Sequence, residues 1–137
     1  MPLSIMIVED EWDIAHLFSL SLASSGFDTI TFTEPLLALG HFKLYPGRYC
    51  LILLDMFMQD LNGMDLSKEI RRHNSQVKIV MITGYCKEDF SNSIYFEEAK
   101  ISEVLQKPVD LEKLGPHLLQ LCSKDKAVTS NSNSKNQ

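Results

Sequence analysis

An α/β fold is predicted for this chain: a (βα)5 three-layer sandwich whose parallel five-stranded sheet has the strand order 2-1-3-4-5. Three observations carry that expectation. The runs LSIMIV (3–8), CLILL (50–54) and VKIVMIT (77–83) are almost wholly apolar, as strands are when helices cover both faces of a sheet. FDTITF (27–32) and ISEVLQ (101–106) mix polar and apolar positions, as strands at sheet edges do. Between the strands lie helical patterns, and this strict alternation calls for right-handed crossovers with helices on both faces. The order 2-1-3-4-5 places the three apolar strands inside and the two mixed ones at the edges.

Taken in order, the first strand covers residues 3–8 and runs directly into Glu9 and Asp10. Ile14, Leu17, Phe18 and Leu22 then recur at three- and four-residue steps, the spacing of a helix face laid on a sheet, and Gly26 can close that helix. The second strand, 27–32, leads to Thr33, Glu34 and Pro35, which read as a helix N-cap with proline in the first turn. The third strand, 50–54, stops against a charge, Asp55, and the turn that follows ends on Asn62 and Gly63. The fourth, 77–83, ends in Thr83 and Gly84. KEDFSNSIYFEEAK (87–100) carries the weakest apolar stripe and is still expected to be a helix. The fifth strand, 101–106, meets Lys107 and Pro108, and Leu111, Leu114, Leu118 and Cys122 mark the last helix. The folded domain is expected over 1–123. Residues 124–137, KDKAVTSNSNSKNQ, bury too little apolar surface to offset the entropy of ordering and are expected to be a polar disordered tail.

A chain of 137 residues, 45% hydrophobic and 23% charged, fits one domain around one core. No apolar run nears the roughly 18 residues of a bilayer span, and MPLSIMIVED lacks the features of a secretory signal. A cytoplasmic protein with no membrane insertion is expected. The net charge of -5 comes with scattered Lys and Arg, so no basic stripe exists for direct nucleic-acid binding. Cys50, Cys86 and Cys122 are odd in number, widely spaced and without a CxxC pair, which predicts reduced thiols in place of zinc or redox chemistry. His16, His41, His73 and His117 fall in different elements and suggest no metal site.

Open parallel sheets bind ligands beyond the carboxyl ends of their strands, where the strand order reverses. Here those ends carry Glu9 and Asp10, Asp55, Thr83 with Gly84, and Lys107. Each alone has a plainer role. Asp10 could cap the following helix, Asp55 could satisfy a backbone donor, Thr83 is common in strands, and Lys107 with Pro108 could be an ordinary strand exit. Their joint occurrence at the ends of different strands points to a site. Carboxylates brought together raise one another's pKa unless cations compensate. Three of them with Lys107 sum to -2, a charge that one divalent ion neutralises, and all-oxygen, partly hydrated surroundings suit Mg²⁺.

The motifs IVED, LLDMFMQDLNG, MITGY and LQKP, in this order and spacing, resemble those of the receiver domains of two-component response regulators, and the likeness covers nearly all of residues 3–122. The resemblance implies the flavodoxin-like form of the fold and a stand-alone signalling phosphoacceptor, not an enzyme acting on other substrates. It implies that Asp55 accepts a phosphoryl group from the phosphohistidine of a sensor histidine kinase or phosphotransfer protein. Asp10, Asp55 and the backbone carbonyl of Phe57 would ligate Mg²⁺, with Glu9 acting through a bound water. Lys107 would pair with a phosphoryl oxygen, and Thr83 would swing to hydrogen-bond the attached group. The surface of the fourth helix, fifth strand and fifth helix would then shift, to be read by a downstream protein effector; a homodimer stays open. A cis Lys107–Pro108 bond is implied as well.

The chain also departs from the family pattern. Glu9 stands where the first acid is usually aspartate. Gln59 stands where proline usually follows the phosphoacceptor, so the turn loses a rigid element that Asn62 and Gly63 are expected to restore. Val104 takes the place of an aromatic switch residue and reads as a β-former at a sheet edge, so no large ring flip coupled to Thr83 is expected. Phe57 and Tyr85, two residues after Asp55 and Thr83, sit where relatives tune phosphoryl lifetime, and their rings are expected to obstruct attacking water. Gln59, Glu9 and Val104 favour an alternative, a pseudo-receiver acting as a phosphorylation-independent interaction module. The complete set of Asp10, Asp55, Thr83 and Lys107 favours the phosphorylatable form. A phosphohydrolase would need an acid two residues after Asp55, where Phe57 stands. A flavin site would need a Ser, Thr and Gly-rich loop after the first strand, which is missing.

Overall fold

Among the described residues, 3–84 and 94–135 of this computed structural model, five strands form one parallel sheet. They are β1 (Ser4–Val8), β2 (Asp28–Phe32), β3 (Leu51–Asp55), β4 (Lys78–Thr83) and β5 (Glu103–Gln106), in the spatial order β2-β1-β3-β4-β5. The helices are α1 (Trp12–Ser24), α2 (Pro35–Leu44), α3 (Gly63–His73), α4 (Ile94–Ala99) and α5 (Leu111–Lys135). The predicted class and strand order are those observed.

Side chains alternate along a strand, so a sheet covered on both sides needs apolar residues at odd and even positions alike. Met6, Val8, Ile52, Leu54, Ile79 and Met81 pack on one face with Phe42 of α2, Leu66 and Ile70 of α3 and Ala99 of α4. Ile5, Ile7, Leu51, Leu53, Val80 and Ile82 pack on the other with Phe18 and Leu22 of α1 and Leu114 and Leu118 of α5. Each fully buried aliphatic side chain contributes roughly 1.5–3 kcal/mol of transfer free energy. The core therefore lies on both sides of β1, β3 and β4, and the chemistry is left to the strand ends.

Several local expectations shift. β3 begins at Leu51 and includes Asp55, paired in register with Ile82 of β4. On α1 the buried line is Ala15, Phe18 and Leu22, while Leu17 is 47% exposed. A helix apolar on several faces does not declare which one the sheet covers, and packing against α5 chooses. α2 is capped at Glu34, not Thr33, with Pro35 in its first turn and no side-chain cap bond. Asp10 does not cap α1; the N-cap residue is Glu11. Gly26 has φ +91°, the left-handed conformation that ends a helix at little cost to glycine. Of the helix expected over 87–100, Ile94–Ala99 is helical and Lys100 is a turn, while 87–93 fall outside the described residues. The α5 backbone stays helical to Lys135, across the segment whose composition reads as a tail. Composition reports the lack of core-forming residues, whereas extending an existing helix needs only one further hydrogen bond per residue.

Gly63 closes the turn between β3 and α3. Its N–H donates to Met56 O at 2.8 Å, and a Cβ there would lie 2.4 Å from Asp55 O and 2.9 Å from Met56 Cα. Those neighbours are backbone and cannot rotate away. Gly63→Ala is expected to lower stability by about 2 kcal/mol through forced displacement of the strand end, read as a lower urea midpoint; an unchanged midpoint would contradict this packing.

Candidate functional site

Register brings the site together. β1 pairs with β3 as Ile5↔Leu51 and Ile7↔Leu53, so the same step continued by two residues sets Glu9 beside Asp55. β4 pairs Ile82 with both Asp55 and Leu105, and Lys107 is two residues beyond Leu105. Glu9, Asp55 and Lys107 thus extend the rows that pack beneath α1 and α5. A slip of one residue in any pair would turn a charge into the opposite layer.

Glu9 is 1% exposed, Asp55 is buried and Asp10 is half-buried. Carboxylate oxygens of all three lie within 4.8 Å of one another. Lys107 Nζ is 3.2 Å from Asp55 Oδ2 and 3.6 Å from Glu9 Oε1. The first contact is a charge-assisted hydrogen bond; the second is attraction beyond hydrogen-bond reach. Glu9 Oε1 is consequently a buried oxygen with no hydrogen-bond partner, while Oε2 accepts from Glu11 N–H at 3.2 Å. Asp55 Oδ1 accepts from Phe57 N–H at 3.2 Å, and Asp10 Oδ2 accepts from Gln59 N–H at 3.3 Å.

Three acids against one ammonium leave the cluster at a formal -2. Burial, and then repulsion from Asp55, push the Glu9 carboxyl up to about 8, against the lowering by the Glu11 N–H and Lys107. Burial by itself would lower the Lys107 ammonium; attraction to Asp55 and then Glu9 more than cancels this and raises it. The chain alone does not balance this charge. An oxygen-rich, anionic cluster with an orphaned buried oxygen fits Mg²⁺.

The lysine is anchored through the sheet. Its N–H donates to Thr83 O at 2.7 Å, and the Lys107–Pro108 bond is cis, as the resemblance implies. Thr83 is buried at the end of β4. Phe57 is 52% exposed, with its backbone beside Asp55. Val104 lies buried in the core among Met81, Ala99 and Ile101, in register with Met81. Tyr85 falls outside the described residues.

The loop after Asp55 holds features that motif reading missed. Leu61 N–H donates to Gln59 O at 2.8 Å across Asp60, whose φ is +71°, a tight γ-turn in a conformation costly for a non-glycine residue. Asn62 Oδ1 then accepts from Asp65 N–H at 2.8 Å and caps α3. Proline at 59 has no N–H and could not make the bond to Asp10. The substitution was legible in the sequence; its new partner was not. Beside Lys107 opens an apolar cleft of 440 Å³ walled by Ile14, Leu17, Phe18, Val109 and Leu111.

This parallel sheet, with acids, a hydroxyl and a lysine at adjoining strand ends, defines a receiver domain. The model of the response regulator receiver domain matches residues 5–118, and the chain belongs to that family. It is 31% identical over 112 residues to the response regulator ArlR of Staphylococcus saprophyticus, spanning 80% of this chain and 48% of that protein. It is 27% identical over 128 residues to the regulatory protein AtoC of Escherichia coli, spanning 90% of this chain and 27% of AtoC. The chain thus spans about half or less of these curated relatives. Among solved structures, a response regulator receiver domain protein of Clostridium thermocellum superposes with a TM-score of 0.80 at 24% identity, covering 92% of this chain and 98% of that one. A CheY-like receiver domain protein of Methanospirillum hungatei does so at 0.81 and 20%, covering 93% and 98%. Among the described residues, no helix is long and apolar enough to cross a membrane.

The raised Glu9 value sets a pH dependence. Between the ordinary 4.5 and about 8 the folded chain holds a proton that the unfolded chain has released, so the stability this group contributes is lost as pH rises through that window. In chelator-treated protein the urea-derived stability is expected to fall by on the order of 2 kcal/mol across it. Glu9→Gln should remove most of the slope; equal slopes in the two proteins would assign it to other groups.

Proposed function

We propose that this receiver domain accepts a phosphoryl group on Asp55 from the phosphohistidine of a sensor histidine kinase or phosphotransfer protein and passes the change to a downstream protein effector. The observation that carries the reading is the setting of Asp55. A carboxylate held by the β3–β4 ladder has one oxygen on Phe57 N–H and the other on Lys107 Nζ, with Glu9 and Asp10 alongside.

In the transfer, an Asp55 oxygen attacks phosphorus as the donor's P–N bond breaks; the bonding pair leaves on the imidazole nitrogen, which takes a proton from solvent. Lys107, already 3.2 Å from Asp55 Oδ2, meets the negative charge arriving with the phosphoryl oxygens. Asp10, Asp55 and the Phe57 carbonyl would hold Mg²⁺, with Glu9 acting through water. Bound there, the ion supplies the positive charge that lets a phosphoryl group approach an acidic cluster. Phe57, 52% exposed beside Asp55, would shield the acyl phosphate from in-line water, and the same role is proposed for Tyr85 from its place two residues after Thr83 in the sequence. The exposed apolar side chains Trp12, Leu17 and Leu20 on α1, of which Leu17 lines the cleft beside Lys107, suit a protein donor.

Once attached, the phosphoryl group takes Asp55 from -1 to about -2, which draws Thr83 and Lys107 inward. Val104, small and packed in the core, offers no ring to flip. The response therefore runs through the β4 and β5 ends, where Lys107 N–H already holds Thr83 O. It is a population shift toward the packing that the effector binds better.

A small phosphoramidate with Mg²⁺ is expected to add one phosphoryl mass at Asp55, and none to Asp55→Asn; an unmodified wild-type protein would leave a phosphorylation-independent interaction module. Lys107→Gln should slow the transfer by about 100-fold. Replacing Phe57 and Tyr85 together by serine should shorten the acyl-phosphate lifetime severalfold, and unchanged hydrolysis would remove both rings from that role.

A further inference from the structure

At the pole of the sheet opposite Asp55, a second reactive pair comes together. Cys50 immediately precedes β3, which ends in Asp55, and Cys122 lies on α5. Their sulfurs are 3.4 Å apart although 72 positions separate them. Cys122 is buried among the α1, α5 and sheet side chains, whereas Cys50 is half-buried and its S–H donates to Ser4 O at 3.3 Å. Both thiols line one cavity of 280 Å³, together with Tyr49, Asn74, Val77 and Lys78. Solvent-borne reagents have a route to the pair, and Lys78 puts a positive charge on the same wall.

We propose that Cys50 and Cys122 form an oxidisable dithiol, a modification site that closes to an intramolecular disulfide on reaction with a peroxide. Cys50, the more exposed, attacks first: its thiolate takes one peroxide oxygen, the O–O bond breaks, and a sulfenic acid and water result. Cys122 then attacks that sulfur, the S–O bond breaks, and a second water leaves. The two thiols lose two electrons and two protons, and one peroxide is reduced to two waters. Closure from 3.4 Å to about 2.05 Å is within the reach of small side-chain rotations. The bond ties α5 to the entry of β3 and closes a long loop, so oxidation adds a covalent clamp to packing supplied in the reduced chain by Leu114, Leu118 and Cys122. The site is independent of phosphoryl transfer, since its atoms lie at the other end of the sheet.

The test uses the full chain carrying Cys86→Ser, so that any internal disulfide joins these two residues. After dilute hydrogen peroxide, a non-reducing tryptic map is expected to show residues 49–68 joined to 114–124 with the loss of two hydrogens, reversed by dithiothreitol. The melting temperature should rise by roughly 10 °C on oxidation. A further Cys122→Ser change should abolish the cross-link and leave a sulfenic acid on Cys50 that dimedone traps. Over-oxidised single cysteines or intermolecular dimers, without the joined peptides, would overturn the proposal. The peptide map of the chain that retains both thiols decides the matter even where Cys122→Ser fails to fold.

Discussion

Lys107 is the cation in contact with two buried carboxylates, and the arrangement of the strand ends depends on that imbalance. Coulomb repulsion between Glu9 and Asp55 is strong because burial removes the water that would screen it, and half-buried Asp10 stands beside them. One ammonium, itself partly desolvated, answers Asp55 by a hydrogen bond and Glu9 only by proximity. An isolated chain would disperse such charges. Here the sheet forbids it, since each acid sits at or just past the end of a strand whose apolar side chains are locked between two helical layers. Packing energy spread over the core thus holds a local electrostatic conflict in place, one that a divalent ion would relieve and that the proposed phosphoryl transfer would alter by one added charge.

The loop from Met56 to Gly63 transmits this constraint. Met56 N–H donates to Ile82 O and Gly63 N–H to Met56 O, both at 2.8 Å, so the turn leaves and rejoins the strand end within two hydrogen bonds. Between these anchors Asp60 adopts a left-handed conformation, and Gln59 turns its N–H toward Asp10. Strain of this kind survives only where surrounding contacts over-determine it. The Asn62 cap and the close approach at Gly63 supply those contacts. Asp55 is thereby presented by a rigid backbone, the condition that the proposed phosphoryl transfer places on its nucleophile.

On the output side of the proposed switch, Val104 is the residue whose size matters most. Its side chain is part of the core shared with α4, so in the proposed switch any movement at Thr83 would have to reach the surface through backbone and packing, with no bulky side chain changing between two sites. Arg71 reinforces that face: its guanidinium donates to the carbonyls of Ala99 and Lys100 at 2.8 Å and to Val77 at 2.6 Å, stapling the end of α4 to α3 and the start of β4. Lys68 of α3 and Glu98 of α4 add only a surface contact of 4.0 Å.

Much of this was legible in the chain itself, for a physical reason. Strands buried on both faces must be apolar throughout, so LSIMIV, CLILL and VKIVMIT declare their place without tertiary information, and the polar groups after them declare where chemistry gathers. Glu9, Asp10, Asp55, Thr83 and Lys107 could all be named from local sequence because each lies at the last position of a strand or just beyond it. What only the tertiary structure decided are relations between distant segments: the orphaned oxygen of Glu9, the bond from Gln59 to Asp10, the exposure of Leu17 and the meeting of Cys50 with Cys122. Hydrophobic periodicity is a local property and reports which segments are buried. Distances between side chains far apart in sequence follow from register and helix packing, which exist only once the whole sheet has closed its layers.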